Sequence, residues 1–314
     1  MTVLELPPPG HFTHPALFYG TDEQYLDALV PFVTDGLERT HPVAVAVPGA
    51  RLRLLSEALG DAAREVTMID MEVAGRNPGR IIPTVLRRFA DDHDGVHVRI
   101  VGEPIWAGRT AAEYPACAQH EALINLAFAG RDVTIVCPYD TSALDDRALA
   151  DALATHPLVW EGARRAESDR YDPGDVLGRY NQPLAVVADA VEVEVAESAD
   201  IRVARRFATD HAHRLGLPAG RVADLQLITS ELVANSLQHT GTGCRLRIWR
   251  DQDHLVCAVE DGGCLKDPLA GRRPAAADQV GGRGLLLVNR LADLVCAHTT
   301  AHGTTVYALL ALSS

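Results

Sequence analysis

Glu231 and Asn235 are the side chains with the clearest chemical use in this sequence. They stand four apart in Ser230-Glu231-Leu232-Val233-Ala234-Asn235-Ser236-Leu237-Gln238-His239, a run whose apolar spacing predicts a helix, so both share one helical face. Asparagine offers an uncharged oxygen to a hard cation such as Mg²⁺. Glutamate can take a proton from an attacking hydroxyl or water. Three glycine motifs follow. Glu260-Asp261-Gly262-Gly263 comes directly after a strand pattern. Its Asp carboxylate can accept from an exocyclic amine, and its glycines allow a ligand close to the backbone. Gly281-Gly282-Arg283-Gly284-Leu285 opens a helix pattern. Exposed amides there favour phosphate, and Arg283 can add a charge-assisted contact. Gly303-Thr304-Thr305 begins a final strand pattern. Taken singly, each motif also fits a solvated helix face, a turn or a linker.

Order and spacing separate the readings. The four motifs fall within about 75 residues, in the order helix, strand end, helix start, strand start. The set resembles the asparagine box and three glycine boxes of the GHKL ATP-binding superfamily. Within it, the runs around Asn235 and Gly282-Arg283-Gly284-Leu285-Leu286-Leu287-Val288 resemble anti-sigma-factor serine kinases that act on STAS-domain antagonists. The resemblance covers about Asp200 to Leu312. It implies ATP and Mg²⁺ as cofactors and makes Asn235 the Mg²⁺ ligand. Asp261 becomes the adenine-reading carboxylate with Gly263 beside it. Gly282 and Gly284, with Arg283 and Leu285, take the phosphate side, and Thr304 lies near the adenine. Glu231 becomes the residue that activates the acceptor hydroxyl. The lid from Gly263 to Gly281 is short and holds Lys266, Arg272 and Arg273, read either as solvated charges or as contacts to the triphosphate. The partners implied are a sigma factor and a STAS-domain anti-sigma-factor antagonist, and a homodimer by analogy.

The elements that must position these residues follow from patterning. Helices are expected over Ile201 to Leu215, with Ile201, Ala204, Phe207, Ala208 and Leu215 on one face, and over Val222 to His239 and Gly284 to Leu294. Strands are expected over Arg245 to Arg250, Leu255 to Glu260, Leu294 to Thr300 and Thr304 to Leu312. Helices on one side of a mixed sheet make an α+β sandwich.

The first half alternates differently. Short β-branched runs at Pro42–Val47, Val66–Asp70, Val96–Val101 and Asp132–Cys137 suit strands buried on both faces. Helix patterns over Asp22–Leu37, Arg51–Leu59, Pro78–Asp91, Ala111–Ala127 and Asp145–His156 lie between them, which predicts a doubly wound, mostly parallel α/β domain. His14-Pro15, Gly102-Glu103-Pro104-Ile105-Trp106, Glu121-Ala122-Leu123-Ile124-Asn125, Cys137-Pro138-Tyr139-Asp140 and His156-Pro157 resemble the MEDS sensory domain, over about His11 to Pro183. That resemblance implies a degenerate RecA-like fold. Val47-Pro48-Gly49-Ala50-Arg51 lacks a phosphate-loop pattern, so nucleotide hydrolysis is not expected in this half. His14, Tyr19, Glu103, Trp106, Cys137, Tyr139 and Asp140 are read either as packing residues or as the wall of a small-molecule site at strand ends. Domains are expected at 11–185 and 198–314, with the acidic stretch Asp189 to Asp200 at the boundary.

Bulk properties agree with this division. The chain has 314 residues, 47% apolar content and net charge −13, enough for two cores and unsuited to direct nucleic-acid binding. No apolar run reaches the roughly 20 residues of a membrane span. The start, with Pro7-Pro8-Pro9-Gly10, has no secretory pattern, and the expected compartment is the cytoplasm. None of the six cysteines forms a C-x-x-C pair, and no His cluster stands at metal-ligand spacing, so buried free thiols are expected, with redox sensing as the alternative. Two other functions stay open. A sensor histidine kinase would need a phosphoacceptor on a helical hairpin, for which His211 and His213 are the available residues. A non-catalytic module would use nucleotide only to hold a conformation and titrate its partner.

Overall fold

The computed structural model describes residues 11–274 and 282–313. Pro7-Pro8-Pro9-Gly10 and Gly281 lie outside them. The chain divides into two compact units, Met1–Tyr180 and Asn181–Ser314.

The first unit is built on a seven-stranded sheet in the order β3-β2-β4-β5-β1-β6-β7. Its strands are β1 (Pro15–Tyr19), β2 (Val43–Val47), β3 (Thr67–Asp70), β4 (Val98–Gly102), β5 (Val133–Asp140), β6 (Leu158–Glu161) and β7 (Arg164–Glu167). All neighbouring pairs are parallel except β6 with β7. Every residue of β2 and β4 is buried, as strands covered on both faces require. The helices are α1 (Asp22–Glu38), α2 (Gly49–Leu59), α3 (Met71–Ala74), α4 (Pro78–Arg80), α5 (Arg87–Asp91), α6 (Tyr114–Ala127), α7 (Asp146–Thr155) and α8 (Pro173–Arg179). Thr21 starts α1 by accepting from the Gln24 amide, and Asp145 starts α7 by accepting from Ala148.

The helix expected over Pro78–Asp91 is broken into α4, a π-helical turn Ile81–Leu86 and α5. Pro83 sits inside that turn, where its missing N–H removes an i→i−4 bond.

The second unit is a five-stranded sheet, β11-β12-β10-β9-β8. Its strands are β8 (Val191–Val195), β9 (Cys244–Asp251), β10 (His254–Asp261), β11 (Leu294–Thr300) and β12 (Gly303–Ala311). Every pairing is antiparallel, so the sheet is not mixed. The edge strand β8 occupies part of the acidic stretch read as boundary. Its Val191, Val193 and Val195 turn toward the core, while Glu194 meets Arg245 at 2.6 Å and Glu192 meets Arg247 at 3.0 Å.

Three helices complete this unit: α9 (Ile201–Leu215), α10 (Val222–Thr240) and α11 (Gly284–Leu291). The last stops three residues short of its expected end, at Leu291. In α9 the fully buried positions are Ala204, Ala208 and Ala212, one turn apart, and their small size lets the helix lie close to its neighbours. Gly216, with φ +82°, closes α9, and Gly241, with φ +66°, closes α10; both take the left-handed conformation that glycine adopts cheaply. The inner face of α10 buries Leu225, Ile228 and Leu232, each contributing about 2 kcal/mol. That burial fixes the rotation of α10 and therefore where Asn235 points.

Candidate functional site

Residues from α10, the end of β10, the start of α11 and the start of β12 line a cavity of about 540 Å³. On α10 the wall is formed by Leu232, Asn235, Ser236, His239 and Thr240. These positions recur at i, i+3, i+4, i+7 and i+8, a single helical stripe.

Backbone approach is tightest at Gly284. A β-carbon there would lie 2.7 Å from Glu231 Oε2 and 3.0 and 3.2 Å from the two Asn235 amide atoms. Any side chain there would force the Glu231 and Asn235 side chains to turn aside. Gly282 has φ +77°, and no side chain of Arg283 caps the helix that follows. Amides at such a start are available to an anion.

At the opposite wall, Asp261 pairs with Thr304 across β10 and β12. The Gly263 amide donates to Asp261 Oδ1 at 2.8 Å, which fixes the carboxylate. Thr304 Oγ1 donates to the Gly263 carbonyl at 2.8 Å and accepts from the Leu265 amide at 3.1 Å. Thr299 Oγ1 lies 2.8 Å from Thr304 Oγ1. The Thr304 hydroxyl thus fastens the Gly263–Leu265 turn, a task its position in the sequence did not reveal.

Seven of the nine residues singled out in this half line the cavity: Asn235, Asp261, Gly263, Gly282, Gly284, Leu285 and Thr304. Glu231 and Arg283 do not. Glu231 lies one turn before Asn235, against Gly284, and Arg283 is exposed beside the wall. Of the three lid cations, Lys266 and Arg273 line the cavity and Arg272 does not. Arg273 is 3.3 Å from Asp267. Ser236, His239 and Thr240 were missed as wall residues, although their spacing from Leu232 and Asn235 carried the signal. Lys266 is the single lysine of the whole sequence.

In the first unit the seven residues read as one strand-end group separate into two clusters, with Trp106 apart from both. Tyr19, Glu103 and Asp140 sit where β1, β4 and β5 end. Arg51 reaches Asp140 at 3.1 Å and lies over the rings of Tyr19 and Tyr25 at 5.1 and 5.0 Å. Burial pushes the Glu103 carboxyl up to about 8, with Arg51 opposing that rise and Asp140 adding to it. Trp106 is engaged elsewhere, 3.9 Å below the Arg109 guanidinium. His14 and Cys137 belong to a different cluster, with Glu121 and His156, at the start of β1 and β6; Tyr139 packs edge-on against His156 there.

Of the remaining thiols Cys117, Cys244 and Cys257 are buried as expected, whereas Cys296 is half-buried. Burial pushes Cys244 and Cys296 up to about 11 and Cys257 to about 12, which keeps them protonated. Cys264 is exposed and lines the cavity. No helix among the described residues is long and apolar enough to cross a membrane.

Comparison with known proteins follows the same division. Residues 13–157 match the MEDS family, the MEthanogen/methylotroph, DcmR Sensory domain. Residues 195–309 match the Histidine kinase-like ATPase domain. The chain therefore carries a MEDS domain followed by a histidine kinase-like ATPase domain. Among solved structures it is similar to the SiaB-SiaC complex from Pseudomonas aeruginosa, at 15% identity and TM-score 0.31, over 38% of this chain and 88% of that one. No curated protein matches the chain.

Proposed function

We propose that the second domain binds ATP with Mg²⁺ and phosphorylates a serine or threonine of a STAS-domain anti-sigma-factor antagonist, and that the protein sequesters a sigma factor when not so engaged. The module runs over 198–314, and the sensory domain, 11–185, biases it in response to a small molecule or other signal. The observation that carries this reading is the convergence on one cavity of an uncharged helix oxygen, a glycine-lined helix start and a fixed carboxylate.

Each group has a role suited to its chemistry. Asn235 Oδ1, held beside Gly284, would hold Mg²⁺, which supplies charge neutralisation on the phosphates. The amides of Gly282, Gly284 and Leu285 face the phosphate end, with Arg283 beside them. Asp261 keeps one oxygen on the Gly263 amide and offers the other to the adenine amine, and Thr304 holds the turn that shapes this end. Transfer requires that the acceptor hydroxyl lose its proton, that its oxygen bond to the γ-phosphorus, and that the bond from that phosphorus to ADP break. Glu231 is the proton acceptor in this scheme. A homodimer paired through this domain fits the same reading.

The test is Asn235→Ala. Phosphate transfer to a STAS protein recovered from the native cell should be abolished in the variant, and undiminished transfer would sink the assignment. A second reading is favoured by one observation: Glu231 stands off the cavity wall. On that reading the domain binds nucleotide only to hold a conformation. Tight ATP binding without transfer to any STAS protein would select it.

A further inference from the structure

Four side chains from four separate segments of the MEDS domain converge in its interior: His14 just before β1, Glu121 on α6, Cys137 in β5 and His156 at the end of α7. All four are completely buried. His14 Nε2 is 3.3 Å from both Glu121 Oε2 and Cys137 Sγ. His156 Nε2 is 3.4 Å from Glu121 Oε2, and Cys137 Sγ is 3.6 Å from the same oxygen. The four ligand atoms all lie within 4.8 Å of one another. From these distances we propose that His14, Glu121, Cys137 and His156 form a four-ligand site for a divalent transition metal of the zinc class.

Four of the six separations between ligand atoms match the edges of a coordination polyhedron, and the other two lie within 4.8 Å. Zinc bonds of about 2.0–2.1 Å to nitrogen and oxygen and about 2.3 Å to sulfur give tetrahedral edges of roughly 3.3–3.6 Å. The four separations above fall on that range. Two imidazoles, a thiolate and a carboxylate also make a donor set of the borderline-soft type that zinc and its neighbours prefer over magnesium or calcium.

The surrounding hydrogen bonds aim the imidazoles as metal ligands are aimed. His14 Nδ1 is 3.2 Å from Asn125 Oδ1, and the Asn125 amide nitrogen is spent on the Thr155 carbonyl at 2.8 Å, so that oxygen is an acceptor. His156 Nδ1 is 2.9 Å from the Ala152 carbonyl, also an acceptor. Each ring therefore carries its proton on Nδ1 and turns Nε2 inward, which is how second-shell acceptors orient ligating histidines. His156 Nε2 and Glu121 Oε1 are buried without a hydrogen bond among the described residues. Buried electron-rich atoms so gathered repel one another, and a shared cation turns that repulsion into bonding. Glu121 and Asn125, four apart on α6, thus supply one ligand and the orienter of another.

Four protein ligands close the coordination sphere, which suits a holding or sensing role and not hydrolysis. The ion would clasp α6, β5 and the starts of β1 and β6, so loading should stabilise the domain.

The experiment uses the full chain, reduced and treated with chelator, then titrated with Co²⁺ and back-titrated with Zn²⁺. One Co²⁺ per chain is expected, with the visible absorption of a tetrahedral site and a thiolate-to-cobalt charge-transfer band, both removed by Zn²⁺. Cys137→Ser should lose the charge-transfer band, and His156→Gln should bind at least tenfold more weakly. Loss of orientation in Asn125→Ala should cost about tenfold. Failure to retain cobalt, or a charge-transfer band that survives in Cys137→Ser, overturns the proposal. Should the serine variant not fold, X-ray absorption of the wild-type zinc form decides: one sulfur with three nitrogen or oxygen neighbours supports the site, and a shell without sulfur refutes it.

Discussion

Gly284 backs directly onto Glu231: a β-carbon added to the glycine would lie 2.7 Å from the glutamate Oε2. The contact joins the first turn of α11 to the middle of α10, and it couples the phosphate-side backbone to the helix that carries Asn235.

Replacing that glycine tests the coupling. Gly284→Ala must push α11 away from α10 or turn Glu231 and Asn235 aside, because a 2.7 Å contact is not tolerated. ATP affinity measured by calorimetry should fall at least tenfold, while the far-ultraviolet circular dichroism of the domain stays unchanged. Wild-type affinity in this variant would show that the close approach has no part in nucleotide binding.

Asp261→Asn probes the other wall. The asparagine oxygen can still accept from the Gly263 amide, as Asp261 Oδ1 does at 2.8 Å, so the turn is preserved. The second oxygen becomes an NH₂ group and meets the adenine amine donor to donor. A mismatch of that kind costs about 1–3 kcal/mol, so ATP should bind roughly 5- to 150-fold more weakly. The check is the ratio of ATP to GTP affinity, which should collapse toward one; an unchanged ratio removes Asp261 from base recognition.

The pH dependence of the first domain has a sign fixed by Glu103. Its folded carboxyl titrates near 8, against 4.5 for the ordinary group. Between those values the folded state keeps a proton that the unfolded chain has released, so stability falls as pH rises from about 5 to about 8 and is not lost further above that. The size is on the order of a few kcal/mol. Glu103→Gln removes the titration while Arg51, Asp140 and Tyr25 stay in place. The difference in melting temperature between variant and wild type should therefore grow in the variant's favour across this window. A difference that is flat with pH would contradict the assignment.

What the sequence discloses depends on whether its signal is local. The run Ile201–Leu215 announces its helix by periodicity and its end by Gly216, and the helix observed has those limits. The motifs around Asn235, Asp261, Gly282 and Thr304 are legible because each is a short run with its own backbone demand. Val191-Glu192-Val193-Glu194-Val195 also carried its signal, a strict alternation, but the acidic composition masked it; Arg245 and Arg247 on β9 neutralise those glutamates in the sheet. Pro83 interrupts a helix pattern with a π-turn whose apolar residues Ile81, Ile82, Val85 and Leu86 stay buried, so the hydrophobic periodicity alone reads as one helix. The cluster at His14 was illegible for a different reason. Its ligands come from residues 14, 121, 137 and 156, and no spacing rule links segments that meet only when the sheet order β5-β1-β6 is formed.

Lys266 lies on the cavity wall and is the only lysine in the chain. A protease specific for lysine therefore has a single bond to cut, Lys266–Asp267, and that bond sits beside the space assigned to nucleotide. Digestion would divide the chain into 1–266 and 267–314, and its rate becomes a one-site footprint of the cavity. The same group is the only lysine amine open to an amine-selective acylating nucleotide analogue, so the molecule comes with a built-in reporter that needs no engineered label.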